Sequence, residues 1–258
     1  MKLYVLDLGK IVMVGDNPVT KGGGAGEPPA IPIHAFLLDT PKGKLLFDTG
    51  CAPGCMEGVW PAASCVNPYV ESASLTERLA QAGVRPEEIR CVVLSHLHLD
   101  HAGGVHLFPN AEVLVQSGEL DRVMEDARRD TLGMFHLRCD VDNWARSGVK
   151  WNPVKEERLT LCEGVTVLNL GPGHSFGMLA LLVELAAGKF LLVSDAVYSA
   201  AHYGPPAQLS GYMENEQGYF STIERLRALA QETGAQVLYG HDMAQFQTLK
   251  KSPAEWYE

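Results

Sequence analysis

The sequence holds no apolar run near the ~20 residues that a membrane-spanning helix needs; stretches such as Leu179 to Leu185 fall far short. Its start, with one lysine and an early aspartate among apolar residues, lacks the apolar region and small-residue cleavage site of a signal peptide. There is no C-x-x-C pair among the six cysteines, Cys51, Cys55, Cys65, Cys91, Cys139 and Cys162. Free thiols are therefore expected, in a cytoplasmic, reducing compartment. Basic clusters are missing as well. Lys+Arg 21 against Asp+Glu 31 leaves a net charge of −10, a field that repels phosphate backbones and anionic lipid surfaces. Neither nucleic acid nor membrane is an expected partner.

What is present is an ordinary globular composition, 46% hydrophobic and 20% charged over 258 residues. A chain this long buries roughly 70–75% of its extended surface and needs no covalent staples. No linker or break in composition divides it, so one domain over residues 1–258 is expected. Short apolar strands dominate the first fifty residues: 3–8, 11–14, 32–39 and 44–50. The turn Pro41-Lys42-Gly43-Lys44 joins the last two as a hairpin. The glycine-rich tract from Lys21 to Pro29 opens no helix after a strand, so it reads as a mobile loop, not a phosphate cradle. Ser74-Leu75-Thr76-Glu77 resembles a capped helix start, with Gly83 past the end. Strands at 90–95 and 111–116 follow, and a helix over 119–129. A long, weakly patterned insertion reaches Arg158. Strands VTVLNL, MLALLVEL and KFLLVSD, a helix over 219–232 and the strand QVLYG complete the pattern. Two sheets in the middle with helices outside satisfy it.

The most informative stretch is Ser95-His96-Leu97-His98-Leu99-Asp100-His101, three imidazoles and a carboxylate straight after a buried strand. Neutral imidazole and carboxylate suit zinc and neighbouring first-row metals. If locally extended, His96 and His98 project to one side and can share an ion, while Asp100 and His101, past the turn, can reach a second. Three further candidates stand at other strand ends: His174, Asp195 and His241. Asp195 closes an apolar run, where an unpaired carboxylate would be costly. Taken singly, each could be a structural residue. Together, in a chain carrying the motif, they point to a dinuclear centre. Asp48, in Phe47-Asp48-Thr49-Gly50, is read as a carboxylate that orients ligands, or as a strand-end turn. Asp242 could do the same or lie exposed. His34 reads as a strand histidine, and His106, His136 and His202 as surface or pocket residues.

In these motifs the chain resembles the metallo-β-lactamase superfamily of hydrolases, and within it the N-acyl-homoserine lactonases. The resemblance rests on His-x-His-x-Asp-His followed by His174, Asp195 and His241, on LLFDTG at 45–50, on SHLHLDHAGG at 95–104 and on Gly240-His241-Asp242. It also rests on Tyr198, three residues after Asp195. What it implies is an α/β fold, the four-layer αβ/βα sandwich of two mixed sheets flanked by helices, with metals at one edge. His96, His98 and His174 would hold one ion, Asp100, His101 and His241 the other, with Asp195 bridging. An aspartate at 195 separates the chain from the β-lactamases themselves, and His98 from the flavo-diiron branch, which has glutamate there. Ser175-Phe176 stands where relatives often have Thr-Pro, and Leu99 where some have Phe. These departures bear on acyl-chain preference and remove no ligand.

Two divalent ions, zinc by expectation with iron, manganese or cobalt open, lower the pKa of a shared water towards neutrality. The resemblance implies that a hydroxide so produced would attack the lactone carbonyl, with Tyr198 donating to the developing oxyanion and Asp100 shuttling the proton to the leaving alkoxide. An apolar cleft must take the acyl chain, with Met13, Trp60, Phe135, Trp144, Tyr203 and Tyr212 as unranked candidates. The expected activity is therefore quorum quenching by opening N-acyl homoserine lactones, with a homodimer implied by resemblance alone. The alternatives are a thioesterase of the glyoxalase II kind or a lactonase for another ring, then a phosphodiesterase, then a metal-binding sensor without turnover. The first would want basic residues in a C-terminal helical region, where this chain has only Lys250 and Lys251. A phosphodiesterase would want a basic groove.

Overall fold

The computed structural model describes residues 1–12, 19–21, 30–52, 54 and 70–258. The glycine-rich tract beyond Lys21, together with Met13, Cys55, Trp60 and Cys65, lies outside the described residues. Strands β1 (Lys2–Val12), β2 (Ala30–Thr40), β3 (Gly43–Phe47), β4 (Val70–Glu71), β5 (Ile89–Val93), β6 (Glu112–Gln116) and β7 (Lys150–Val154) form one mixed sheet, in the order β4-β1-β2-β3-β5-β6-β7. A second mixed sheet runs β12-β11-β10-β9-β8, built from β8 (Arg158–Cys162), β9 (Val165–Gly171), β10 (Met178–Leu185), β11 (Gly188–Ser194) and β12 (Gln236–Tyr239).

Side chains alternate across a strand, and here both faces of each sheet are covered, which is why MLALLV reads as a continuous apolar run. On one face of β10, Leu179, Leu181 and Val183 meet Val5, Phe36 and Phe47 of the first sheet. On the other, Met178, Ala180 and Leu182 pack with Ile223, Leu226 and Leu229 of helix α6 (Glu216–Thr233). The outer face of the first sheet, including Leu37, Leu46 and Val92, packs on α1 (Leu75–Gln81), α3 (Ser117–Arg129) and α4 (Arg138–Ser147). Three apolar interfaces between four layers make the αβ/βα sandwich. Among the described residues, no helix is long and apolar enough to cross a membrane.

The expected capping box is formed at α1. Ser74 Oγ accepts from Glu77 N, and the Glu77 carboxylate accepts from Ser74 N at 2.8 Å. Two expectations need correction. The strands at 3–8 and 11–14 are one strand, β1, which runs on to Val12. A register shift between Asp7 and Gly9 carries it past the break, with Gly9 at φ 132°; a bulge of this kind bends a strand without ending it. The weakly patterned insertion also contains α4 and β7. The buried residues of α4 are only Asp140, Val141 and Trp144, with Leu137 just before it, so its apolar period is faint in the sequence. Trp144 is thereby a core residue, donating from Nε1 to Ala102 O at 3.2 Å.

Strands β3 and β5 run parallel, β11 and β12 run parallel, and β9 shares their direction through two antiparallel pairings. Their C-terminal ends consequently open at one edge. The short helix α2 (Leu99–Ala102) is fastened there to the loop after β3, because Thr49 N and Oγ1 both donate to His101 O, at 2.7 and 2.8 Å. Gly103 permits that approach: a Cβ on it would lie 2.3 Å from Ala52 N and 2.7 Å from Cys51 C, both backbone atoms. Gly103→Ala is expected to cost about 1–3 kcal/mol of stability through overpacking, read as a lowered midpoint in urea unfolding. An unchanged midpoint would contradict this packing.

Candidate metal centre

Five strand ends deliver the chemistry. Asp48 follows β3, Ser95 to His98 follow β5, His174 follows β9, Asp195 follows β11 and His241 follows β12. All seven residues read from the sequence as ligands are buried. Their donor atoms fall into three groups, each within 4.8 Å: His96, His98 and His174; His96, His101 and Asp195; Asp100, His101 and His241. Asp195 lies among them, with Oδ1 3.2 Å from His101 Nε2 and 3.0 Å from His241 Nε2, and Oδ2 3.3 Å from His174 Nε2. Gly240 allows this, since a Cβ there would meet Asp195 Oδ1 at 2.6 Å.

The rings are held from behind. His101 Nδ1 donates to Asp48 Oδ2 at 2.9 Å, His174 Nδ1 to Tyr212 O at 3.3 Å and His241 Nδ1 to Pro32 O at 3.1 Å. Ser95 Oγ donates to Asp48 Oδ2, so at 2.9 Å it accepts from His96 Nδ1. Each of these four rings thereby turns Nε2 inward, the nitrogen that a metal would meet. His98 is the exception, with Nδ1 facing His174 Nε2 at 3.0 Å. The inward Nε2 atoms of His96 and His101 and the Oδ1 of Asp195 are buried without a hydrogen-bond partner among the described residues. Buried polar atoms are nearly always paired, and a divalent cation satisfies this set. The site fits divalent metal ions.

The electrostatics divide the histidines. Burial, reinforced by neighbouring imidazoles, holds His96 and His98 well below the ordinary 6.5. Burial also lowers His174, against the pull of Asp195. For His101 and His241 burial acts in the same direction, but the carboxylates of Asp195 and Asp100 override it and raise both. Asp195 itself is held well below 3.8, because His241 and His101 outweigh its burial.

Tyr198 stands over both halves, its ring 5.2 Å from those of His174 and His241. Burial, then Asp195 and Asp100, push its hydroxyl well above 10, so it stays a donor. A cavity of about 220 Å³ opens on this floor of ligands. Its apolar wall is Ile11, Val19, Ile31, Met134, Phe135 and Tyr212. Of the pocket candidates, Phe135 and Tyr212 are thus in place, whereas Tyr203 packs on Tyr239 at 5.7 Å. Leu99 is a core residue, but its N–H donates to Phe135 O and fixes that wall. A larger cavity, about 540 Å³ beside Cys51 and His106, contains none of the seven.

Asp48 is no mere turn residue. Its carboxylate accepts from Ser95 N, Ser95 Oγ, Ser194 Oγ and His101 Nδ1. Asp242 instead caps helix α7 (Met243–Thr248) through Gln245 N and accepts from Ala200 N. His34 stays in its strand, stacked on Phe246 and held at about 3 by burial and the nearby His241. His136 and His202 are buried, not surface, residues. His202 bonds Ser199 and Thr20, and His136 lies edge-on to His98 at 4.8 Å. Sequence reading missed Glu119 altogether. It looks like an exposed helix residue in the third position of α3, yet it is fully buried beneath the His96 and His174 loops. Only its place in the first turn, three residues after Gln116, hinted at a structural role.

The fold and the dinuclear arrangement define a class, and the chain belongs to the metallo-β-lactamase superfamily, whose pattern matches residues 28–241. Within that class it is similar to named lactonases. It is 38% identical over 274 aligned positions to N-acyl homoserine lactonase AiiB of Agrobacterium fabrum (strain C58), covering 100% of this chain and 99% of the relative. AiiB of Rhizobium rhizogenes (strain K84) shows the same identity and coverage. The crystal structure of a quorum-quenching N-acyl homoserine lactone lactonase superposes with a TM-score of 0.81 at 24% identity, covering 99% of this chain and 97% of that one. That likeness is one of fold.

The protonation pattern predicts a pH optimum of stability for the metal-free protein. Below 6.5, His96, His98 and His174 take up protons in the unfolded chain before they do so in the fold, so stability falls with acid. Above 6.5, His101 and His241 keep protons only in the fold, and that stabilisation is lost as pH rises through their raised values. Denaturant midpoints of metal-free protein are expected to peak near 6.5, the value from which both sets depart. A steady rise from about pH 5 to about pH 9 would contradict the division.

Proposed function

We propose that the protein is a metal-dependent hydrolase that opens the lactone ring of N-acyl homoserine lactones, and so quenches the bacterial signalling that uses them. The observation that carries this reading is the buried donor set, of which His98, Asp100, His174, Asp195 and His241 form the floor of an apolar-walled cavity, with Tyr198 over both halves. His96, His98 and His174 would hold one ion and Asp100, His101 and His241 the other, with Asp195 available to both. Zinc suits these donors best, with iron, manganese or cobalt acceptable. The kinship with AiiB supports the choice of substrate. A net charge of −10 favours an uncharged ester over a phosphodiester. We also place the whole chain, as one domain, in the reducing cytoplasm, which suits the free thiols of Cys91 and Cys162. A homodimer follows from the family resemblance alone.

Bound divalent ions supply an acidified water near neutral pH and polarisation of the ester carbonyl. The protein does the rest. The Tyr198 hydroxyl, kept protonated, donates to the oxygen on which charge develops. Asp100 lies at the cavity floor, with Oδ2 3.5 Å from both His101 Nε2 and His241 Nε2. From there it takes the nucleophile's proton and passes it to the departing alkoxide. In a lactone that alkoxide stays tethered, so the product is a single ring-opened hydroxy acid. Phe135, Tyr212 and the aliphatic wall take the acyl chain out of water, while Asp48 keeps His101 in the ligating tautomer.

Metal-loaded protein mixed with N-butanoyl, N-hexanoyl and N-decanoyl homoserine lactone is expected to release acid rapidly, and Asp195→Ala is expected to release none above background. Release from none of the three, with two metal equivalents bound, would sink the lactonase reading. Tyr198→Phe should lower kcat on the order of 10²-fold, the usual loss for one oxyanion donor, while leaving metal content unchanged. A variant as fast as wild type would remove Tyr198 from the chemistry.

A further inference from the structure

The two halves of the centre differ in charge. Asp100 belongs to one, and Asp48 holds that half's His101 by a direct bond. The other half, His96, His98 and His174, brings three neutral rings. Beneath it lies Glu119, with no exposed surface. Its Oε1 accepts from Leu97 N at 2.9 Å, its Oε2 from Gly177 N at 3.1 Å, and both oxygens lie within 2.9 Å of Ser175 Oγ. Leu97 sits between His96 and His98, and Ser175 follows His174, so one carboxylate grips the backbone beside all three ligands. Its partner at ion-pair distance is His136, 3.5 Å away, whose ring lies edge-on to His98 and stacks on Phe176. Hydrogen bonds from neutral donors satisfy the lone pairs of Glu119 but leave its charge without a lysine or arginine among the described residues. A buried charge without an opposite one is disfavoured. The divalent ion is the cation that completes the arrangement.

The geometry points to Glu119 as the positioning residue and counter-charge of the His96–His98–His174 half, setting the metal affinity of that half separately from the other. The inference rests on the ligand reading given above. Asp48 and Glu119 then act as a pair: the N–H groups of residues 95 and 97 go to the two carboxylates, while the side chains of 96 and 98 go to the metals.

The test is a cobalt(II) titration of metal-free protein, followed by visible absorption and by competition with a chelator. His98→Ala and His241→Ala identify the binding step that belongs to each half. Glu119→Gln keeps the size of the side chain and removes its charge. It is expected to weaken the step missing in His98→Ala by about 10–100-fold and to leave the step missing in His241→Ala at its wild-type value. Two unaltered steps, or equal weakening of both, would overturn the inference. Ser175→Ala removes one donor and keeps the charge; it should weaken the same step by about three- to tenfold, and a loss at the other step would again overturn it. Wild-type protein that takes up fewer than two cobalt ions would remove the ligand reading, and this inference with it.

Discussion

The Asp195 carboxylate, buried between His174 on one side and His101 and His241 on the other, is the constraint around which the edge of the sandwich is arranged. A negative charge at the end of an apolar strand is tolerable only with opposite charge or strong donors around it. The imidazoles supply this, and Asp195 in turn holds two of them protonated when no metal is bound. The same carboxylate that organises the cluster lies within reach of both groups of donors. Its Oδ1 faces His101, its Oδ2 faces His174 and both face His241, so a single side chain touches both halves.

Such an arrangement needs several strand ends to meet within hydrogen-bonding distance. The meeting point is Asp48, Ser95 and Ser194, contributed by β3, β5 and β11 of the two different sheets. Two of these residues take left-handed backbone conformations, Asp48 at φ 61° and Ser194 at φ 47°. Conformations of that kind are uncommon outside glycine and persist where the surroundings over-determine them. Here both turn a side chain out of the strand direction and into the shared network. The local cost is offset by the bonds that Asp48 accepts, and the consequence is a ligand cage built on segments anchored directly to strand ends of both sheets.

The cavity wall shows the opposite economy of design. Ile11 and Ile31 come from the first sheet, Val19 from a segment that pairs with the loop at Ser210, Phe135 and Met134 from the turn before α4, and Tyr212 from the loop before α6. Specificity for an apolar chain would come from shape, and Leu99, through its bond to Phe135 O, ties one part of that shape directly to the metal-binding helix.

Much of this was legible in the sequence, and for a physical reason: metal ligands must be particular residue types, and a helix start such as Ser74 to Glu77 is a local matter of backbone capping. His96, His98, Asp100, His101, His174, Asp195 and His241 could be named because their chemistry is carried in their identity, whereas Tyr198 was legible only through the family resemblance. Asp48 stood undecided between a turn and an orienting role. Glu119, His136 and His202 were out of reach, since charged or polar residues on a helix or loop look alike whether they face water or the core. The bulge that joins β1, and the faint stripe of α4, also escaped a reading based on unbroken periodicity. The sequence by itself determined which atoms could bind metal, through composition and spacing of donors. Only the tertiary structure decided which ring nitrogen faces inward, which carboxylate lies beneath each half and what walls the cavity, because burial and hydrogen bonding between distant segments exist only once the two sheets have met.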